Sequence, residues 1–190
     1  MLTKTAYVYL PYGYSENKKY EVFYFMHGGW CNEATTMGAD KKHAGFKSII
    51  DHAIQDGKIK PLIMVFPTYN NLSQSDSGDY SLAIRLTQNY HNELVNDLIP
   101  AVEGRFSTYA ENTTKEALQQ SRDHRGFGGF SMGSVTTWRT FEYCLDYFRY
   151  FLPMSGEFMD DGNLTFRIKK GYAHDGIASM EYTYNGIMWF

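Results

Sequence analysis

Residues 125–145 constrain this chain more than any other stretch. Arg125-Gly126-Phe127-Gly128-Gly129-Phe130 is an apolar run with glycines, and Ser134 to Leu145 has helical spacing. Between them stands Gly129-Phe130-Ser131-Met132-Gly133, a match to G-x-S-x-G placed where a strand ends and a helix begins. Small flanking residues permit so tight a backbone, and a serine at its apex holds its hydroxyl exposed at the top of a sheet. The chain must therefore build a sheet in which one strand feeds a helix directly, with Ser131 as the candidate nucleophile.

The remaining pattern supplies the rest of that sheet. Residues 6–10 alternate as a strand, and Glu21 to Met26 is a nearly continuous apolar run, as in a strand covered on both faces. Phe46, Ile49, Ile50, Ala53 and Ile54 give helical periodicity over 45–56, stopped by Gly57. Leu62 to Phe66 reads as a strand, Thr68 to Tyr80 as a polar loop, and Leu82 to Val102 as a long helix bent near Pro100. Residues 107–123 are polar and surface-like. Strand 125–130, helix 134–145, strand 148–154, a last strand Asn163 to Lys169 and a last helix Ile177 to Met188 follow. Strands separated by helices imply an α/β domain over 1–190, with a mainly parallel sheet and helices on both faces.

One connection breaks this logic. Nine residues, Ser155 to Asn163, separate two of the strands, whereas a parallel crossover needs at least about 10–12 residues. Either the two strands are antiparallel, or a segment is missing.

Composition excludes other classes. The 190 residues suffice for one core, net charge is −3, and no lysine or arginine cluster gives a nucleic-acid footprint. The densest apolar run, residues 61–67, falls far short of the roughly 20 residues that span a bilayer. Met1 leads almost directly into a strand, so the chain reads as a mature or excised domain without a signal peptide. Cys31 and Cys144 are expected to be free thiols. No H-E-x-x-H or paired C-x-x-C supports a metal site, and the glycines at 126 and 128 fail the dinucleotide fingerprint because Ser131 holds its last position. Aromatic residues make up 17% of the chain, which fits either an aromatic-rich core or a sugar- or aryl-binding surface.

A serine hydroxyl needs an adjacent base. In the α/β-hydrolase order the nucleophile precedes the acid and then the histidine, and His174 is the only histidine after Ser131. It lies in a glycine-flanked loop after the last expected strand, whereas His124 precedes the nucleophile strand and is structural. The oxyanion requires two backbone N–H donors. Met132 supplies one; the loop His27-Gly28-Gly29-Trp30 supplies the other, with Gly29 preferred and Gly28 or Trp30 as alternatives. The orienting acid is not assigned, since Glu157, Asp160, Asp161 and Asp175 all stand in poor positions. Trp30, Trp138 and the loop Thr68 to Tyr80 are candidates for shaping an acyl pocket.

Several segments together resemble the feruloyl esterase domains of carbohydrate esterase family 1, especially those attached to bacterial xylanases. They are Val8 to Tyr14, Phe25-Met26-His27-Gly28-Gly29, Ile50-Asp51-His52-Ala53-Ile54, His124 to Gly133 and Leu152-Pro153-Met154-Ser155-Gly156. The similarity covers about residues 6–158 and resumes from Gly162 to Phe190. It implies an α/β-hydrolase fold, hydrolysis of hydroxycinnamoyl esters on plant cell wall arabinoxylan, no cofactor, and secretion from the cell. Ser131 matches the nucleophile and His174 the triad histidine. Ser134 departs from the second glycine usual in the family. The family also carries a helix, a strand and the triad aspartate where this chain has its short connection, so one strand-helix unit is expected to be lacking between Glu157 and Gly162. Two rival readings follow: an esterase of the same fold acting on acetylxylan or another small ester, and a catalytically impaired relative that binds polysaccharide.

Overall fold

A computed structural model describes residues 3–38, 45–156, 174 and 176–188. Its sheet has five strands in the order β1-β3-β2-β4-β5: β1 is Tyr7–Tyr9, β2 Glu21–Met26, β3 Leu62–Phe66, β4 Arg125–Phe130 and β5 Tyr150–Met154. β3, β2, β4 and β5 run parallel to one another, and the edge strand β1 pairs antiparallel with β3. The strand expected at 163–169, the short connection around Glu157 to Gly162, and the carboxylates Glu157, Asp160, Asp161 and Asp175 lie outside the described residues.

Successive side chains of a strand point to opposite faces, and both faces here are covered. Val22, Tyr24, Met26, Ile63, Val65 and Phe127 form one core with helices α3 (Tyr80–Gln88), α4 (Tyr90–Glu93), α5 (Ile99–Glu103) and α7 (Met132–Tyr143). Phe23, Phe25, Leu62, Met64 and Phe66 form the other with α2 (Gly45–Gln55) and α8 (Gly176–Ile187). The unbroken apolar runs of β2 and β3 follow from this double burial. α7 is itself mostly buried despite three threonines, because Thr136, Thr137 and Thr140 each return their hydroxyl to the carbonyl four residues earlier.

Three expectations about helices change. The stretch expected as one helix bent near Pro100 is broken at Asn89, and just ahead of Pro100 it passes through a π turn at Leu94–Leu98. Asn89 leaves helical geometry at φ −108° and ψ 3°, whereas Leu98 and Ile99 stay helical and carry the π turn straight into α5, so Pro100, which has no N–H to donate, directly follows the π turn. Two short helices were not expected: α1 (Glu33–Met37) and α6 (Lys115–Gln120). Each starts at a side-chain cap, Asn32 in a reciprocal box with Thr35 for α1, and Thr114 for α6.

At its base β4 is anchored by Arg125, which is 1% exposed. Its guanidinium donates to both carboxylate oxygens of Glu103, to the Leu118 and Tyr147 carbonyls and to Ser121 Oγ. Glu103 also accepts from Tyr24 and Thr108 hydroxyls, so the buried pair is fully dressed. His124, just below, stacks on Tyr109 at 3.6 Å, consistent with a structural role.

Candidate active site

The chain passes from β3 on one side of β2 to β4 on the other. In open α/β sheets a reversal of this kind opens a crevice beyond the carboxyl ends of the strands. His27 to Trp30 leaves the end of β2 there, and Ser131 follows the end of β4.

Ser131 has φ 59° and ψ −116°, a conformation that costs an L-residue about 1–3 kcal/mol. Neighbouring contacts enforce it. Its N–H donates to the Met154 carbonyl at 2.9 Å, and its carbonyl accepts from Ser134 N–H at 2.9 Å as α7 begins. The glycines of the motif are steric requirements: a Cβ on Gly133 would stand 2.2 Å from the Met26 carbonyl oxygen, and one on Gly129 would stand 2.6 Å from the Gly133 carbonyl oxygen. Trp30 and Ser155, at φ 58° and 51°, are the other non-glycine residues with positive φ among the described residues. All three follow the carboxyl ends of strands, so the strain of the described chain is concentrated on this rim.

The loop after β2 comes close to the serine. A Cβ on Gly28 would lie 3.3 Å from Ser131 Cβ. His27 is buried, and its ring is bonded at both nitrogens, to the Gly28 carbonyl at 2.7 Å and to Thr68 Oγ1 at 2.7 Å. A carbonyl can only accept, so Nδ1 carries the proton and Nε2 accepts from the threonine. Burial lowers the His27 pKa to about 4, against a smaller opposing effect from its bond to Gly28, so the ring is neutral at physiological pH. Tyr69 OH donates to the same Gly28 carbonyl at 3.0 Å. The peptide is trans, so the Gly29 N–H points opposite to the clamped carbonyl. Neither the Gly29 N–H nor the Met132 N–H has a partner among the described residues. The Trp30 N–H is committed to the Ser77 carbonyl at 3.0 Å, which removes it as an alternative oxyanion donor.

His174 is exposed, and its ring lies 4.6 Å from that of Phe130, the residue before Ser131. The structure thus brings the expected base to the nucleophile's immediate neighbour; no hydrogen bond joins His174 to Ser131 among the described residues. Trp138 is buried within α7, edge-on to Phe141, and packing accounts for it. Trp30 is 78% exposed.

The polar loop after β3 proves to be a brace. Desolvation pushes the Asp76 carboxyl up, but the N–H groups of Asn71, Leu72 and Ser73 donate to it and, with the charge of Lys4, together hold it below the usual range. Ser77 Oγ and Asn70 Nδ2 both donate to the Cys31 carbonyl. Sequence reasoning missed Thr68, Tyr69 and Ser77 as supports: it placed them in the loop after β3, but nothing in it set that loop beside the end of β2. Among the described residues no group of three or more His, Cys, Asp or Glu could hold a metal, and no helix is long and apolar enough to cross a membrane.

The sequence profile of the Esterase family matches residues 3–157, most of the chain. The chain belongs to that family. Among characterised relatives of this esterase-family chain, endo-1,4-beta-xylanase Y of Acetivibrio thermocellus is 49% identical over 156 residues, which are 82% of this chain and 13% of the xylanase. A solved serine-to-alanine variant of the feruloyl esterase module of Clostridium thermocellum, complexed with sinapinate, superposes with TM-score 0.71 at 46% identity, over 84% of this chain and 51% of that one. The ferulic acid esterase of Anaeromyces mucronatus gives TM-score 0.60 at 26% identity, over 78% and 51%. The fold is therefore that of the α/β-hydrolase feruloyl esterases, and this chain spans about half the length of the solved ones.

Proposed function

We propose that this chain is a serine esterase that hydrolyses feruloyl and related hydroxycinnamoyl esters of plant cell wall arabinoxylan outside the cell. The observation that carries the reading is the strained Ser131 turn with the Gly28-Gly29 backbone beside it. Relatives that are feruloyl esterases support the acyl class, and the xylanase relative supports the polysaccharide.

In this reading Ser131 Oγ attacks the ester carbonyl carbon and its proton passes to His174. The carbonyl oxygen becomes an oxyanion held by Met132 N–H and Gly29 N–H, donors aimed before the charge develops. Collapse breaks the bond to the sugar oxygen, which leaves with the proton from His174. Water then attacks the acyl-enzyme by the same route, releasing the hydroxycinnamate and restoring Ser131. No cofactor takes part.

A fluorophosphonate probe tests the proposal. It should label the wild-type chain and not Ser131→Ala, and methyl ferulate should be cleaved faster than an acetyl ester. Preference for the acetyl ester moves the substrate to acetylxylan or another small ester. A wild-type chain that resists labelling but still binds arabinoxylan leaves the polysaccharide-binding reading.

A further inference from the structure

Among the described residues, Trp30 is the largest side chain on the rim that the proposed chemistry does not use. A single exposed aromatic needs no explanation by itself, but three features set this one apart. It follows Gly29 directly, so it stands one residue from the proposed oxyanion donor. Its backbone is held at φ 58°, in the left-handed region, for which tryptophan has no preference. And its mounting is rigid: its N–H donates to the Ser77 carbonyl at 3.0 Å, while the next carbonyl, of Cys31, accepts from Ser77 Oγ at 2.6 Å and Asn70 Nδ2 at 3.1 Å. The indole rests against Gly78, where an added Cβ would stand 3.5 Å from Trp30 Cδ1. It is nevertheless 78% exposed, so it is seated on one side and open to solvent over most of its surface.

We propose that Trp30 is a stacking platform for the pentose arm of the substrate, and thus a residue that selects feruloylated polysaccharide over simple feruloyl esters. The inference rests on the esterase reading above. An ester has two arms, and only one continues as a polymer across the surface. A ring this exposed cannot enclose a planar aryl group, but it offers a flat apolar face to the C–H side of a sugar. Because the loop beneath is already ordered, little entropy is lost on stacking.

The test compares a feruloylated arabinoxylo-oligosaccharide with methyl ferulate, using wild type, Trp30→Ala and Trp30→Phe. Trp30→Ala should lower the ratio of kcat/KM for the oligosaccharide to that for methyl ferulate by roughly tenfold, mainly through KM, about what one aromatic stack is worth. Trp30→Phe should restore most of the ratio. Equal loss on both substrates, or none on either, overturns the proposal, because the residue would then hold the loop or do nothing. Calorimetry on Ser131→Ala supplies a readout free of catalysis. The unesterified oligosaccharide should bind it measurably, and binding should be lost in Ser131→Ala/Trp30→Ala. If wild type cleaves no ester while this binding difference persists, the platform stands and the esterase reading falls. If esters are cleaved but neither the ratio nor the binding responds, the platform alone falls.

Discussion

The two ends of strand β4 are built on opposite terms. At the start, Arg125 is buried with its donors shared among Glu103, Ser121 and two carbonyls. At the other end, about 17 Å along the strand, Ser131 is strained and the N–H groups of Met132 and Gly29 have no partner among the described residues. The base has its polar groups satisfied; the rim keeps donors in reserve. This is the arrangement a hydrolase needs, since donors already bonded within the protein cannot stabilise charge that appears on a substrate. Cost is tolerated at the rim because the base is secure.

The largest effect expected is on chemistry. Ser131→Ala should lower ester hydrolysis about 10⁴-fold or more, as loss of a serine nucleophile does, with stability nearly unchanged. Ser131→Gly should be equally inactive but more stable by about 1 kcal/mol in urea unfolding, because glycine accepts a positive φ without strain. A glycine variant less stable than wild type would break the claim that the rim stores strain. Next in size, Arg125→Met should cost about 3–5 kcal/mol by leaving Glu103 buried without its counter-charge. Arg125→Met with Glu103→Leu should recover much of that loss, and the activity per folded molecule should stay close to wild type in both. Loss of turnover without loss of stability would join the two ends that the comparison separates.

How legible this was depended on how local each signal is. β2, β3 and β4 were readable because burial on both faces writes itself as an unbroken apolar run. Ser131, Met132 and Gly29 were readable as candidates because each sits inside a short motif. The break at Asn89 has no proline or glycine to announce it, whereas Pro100 announced only the π turn that directly precedes it. α1 and α6 span five and six residues, too few for periodicity, and only their caps announced them. Tyr69 was illegible as a support for Gly28 because the contact spans 41 positions and exists only because β3 ends beside β2. The orienting acid could not be read, because its expected place is the overshort connection.

Acid should probe the rim through His27. Its folded pKa of about 4 lies below the ordinary 6.5, so between those values the unfolded chain binds more protons. The stability from the neutral ring is fully present above pH 6.5 and is lost as pH falls toward 4, in total on the order of 3 kcal/mol. His27→Gln should flatten the dependence of unfolding free energy on pH in that window by about one proton. An unchanged slope would mean that the ring is not held neutral.

The smallest and most discriminating change is a matched pair of hydroxyl deletions. Tyr69 OH donates to the Gly28 carbonyl at 3.0 Å, and Tyr24 OH donates to Glu103 at 3.2 Å. Both rings are buried, and each phenylalanine should cost about 1 kcal/mol of stability, since one buried hydrogen bond is lost. Their kinetic consequences should diverge. Tyr69→Phe loosens the peptide that presents Gly29 N–H, so kcat should fall roughly fivefold with KM little changed, the signature of a contact made in the transition state. Tyr24→Phe acts at the base, where Arg125 still holds Glu103, and kcat should not move. Equal kinetic effects would show that the sheet transmits disturbance along its length; a fall confined to Tyr69→Phe shows that catalysis depends on the rim and stability on the base.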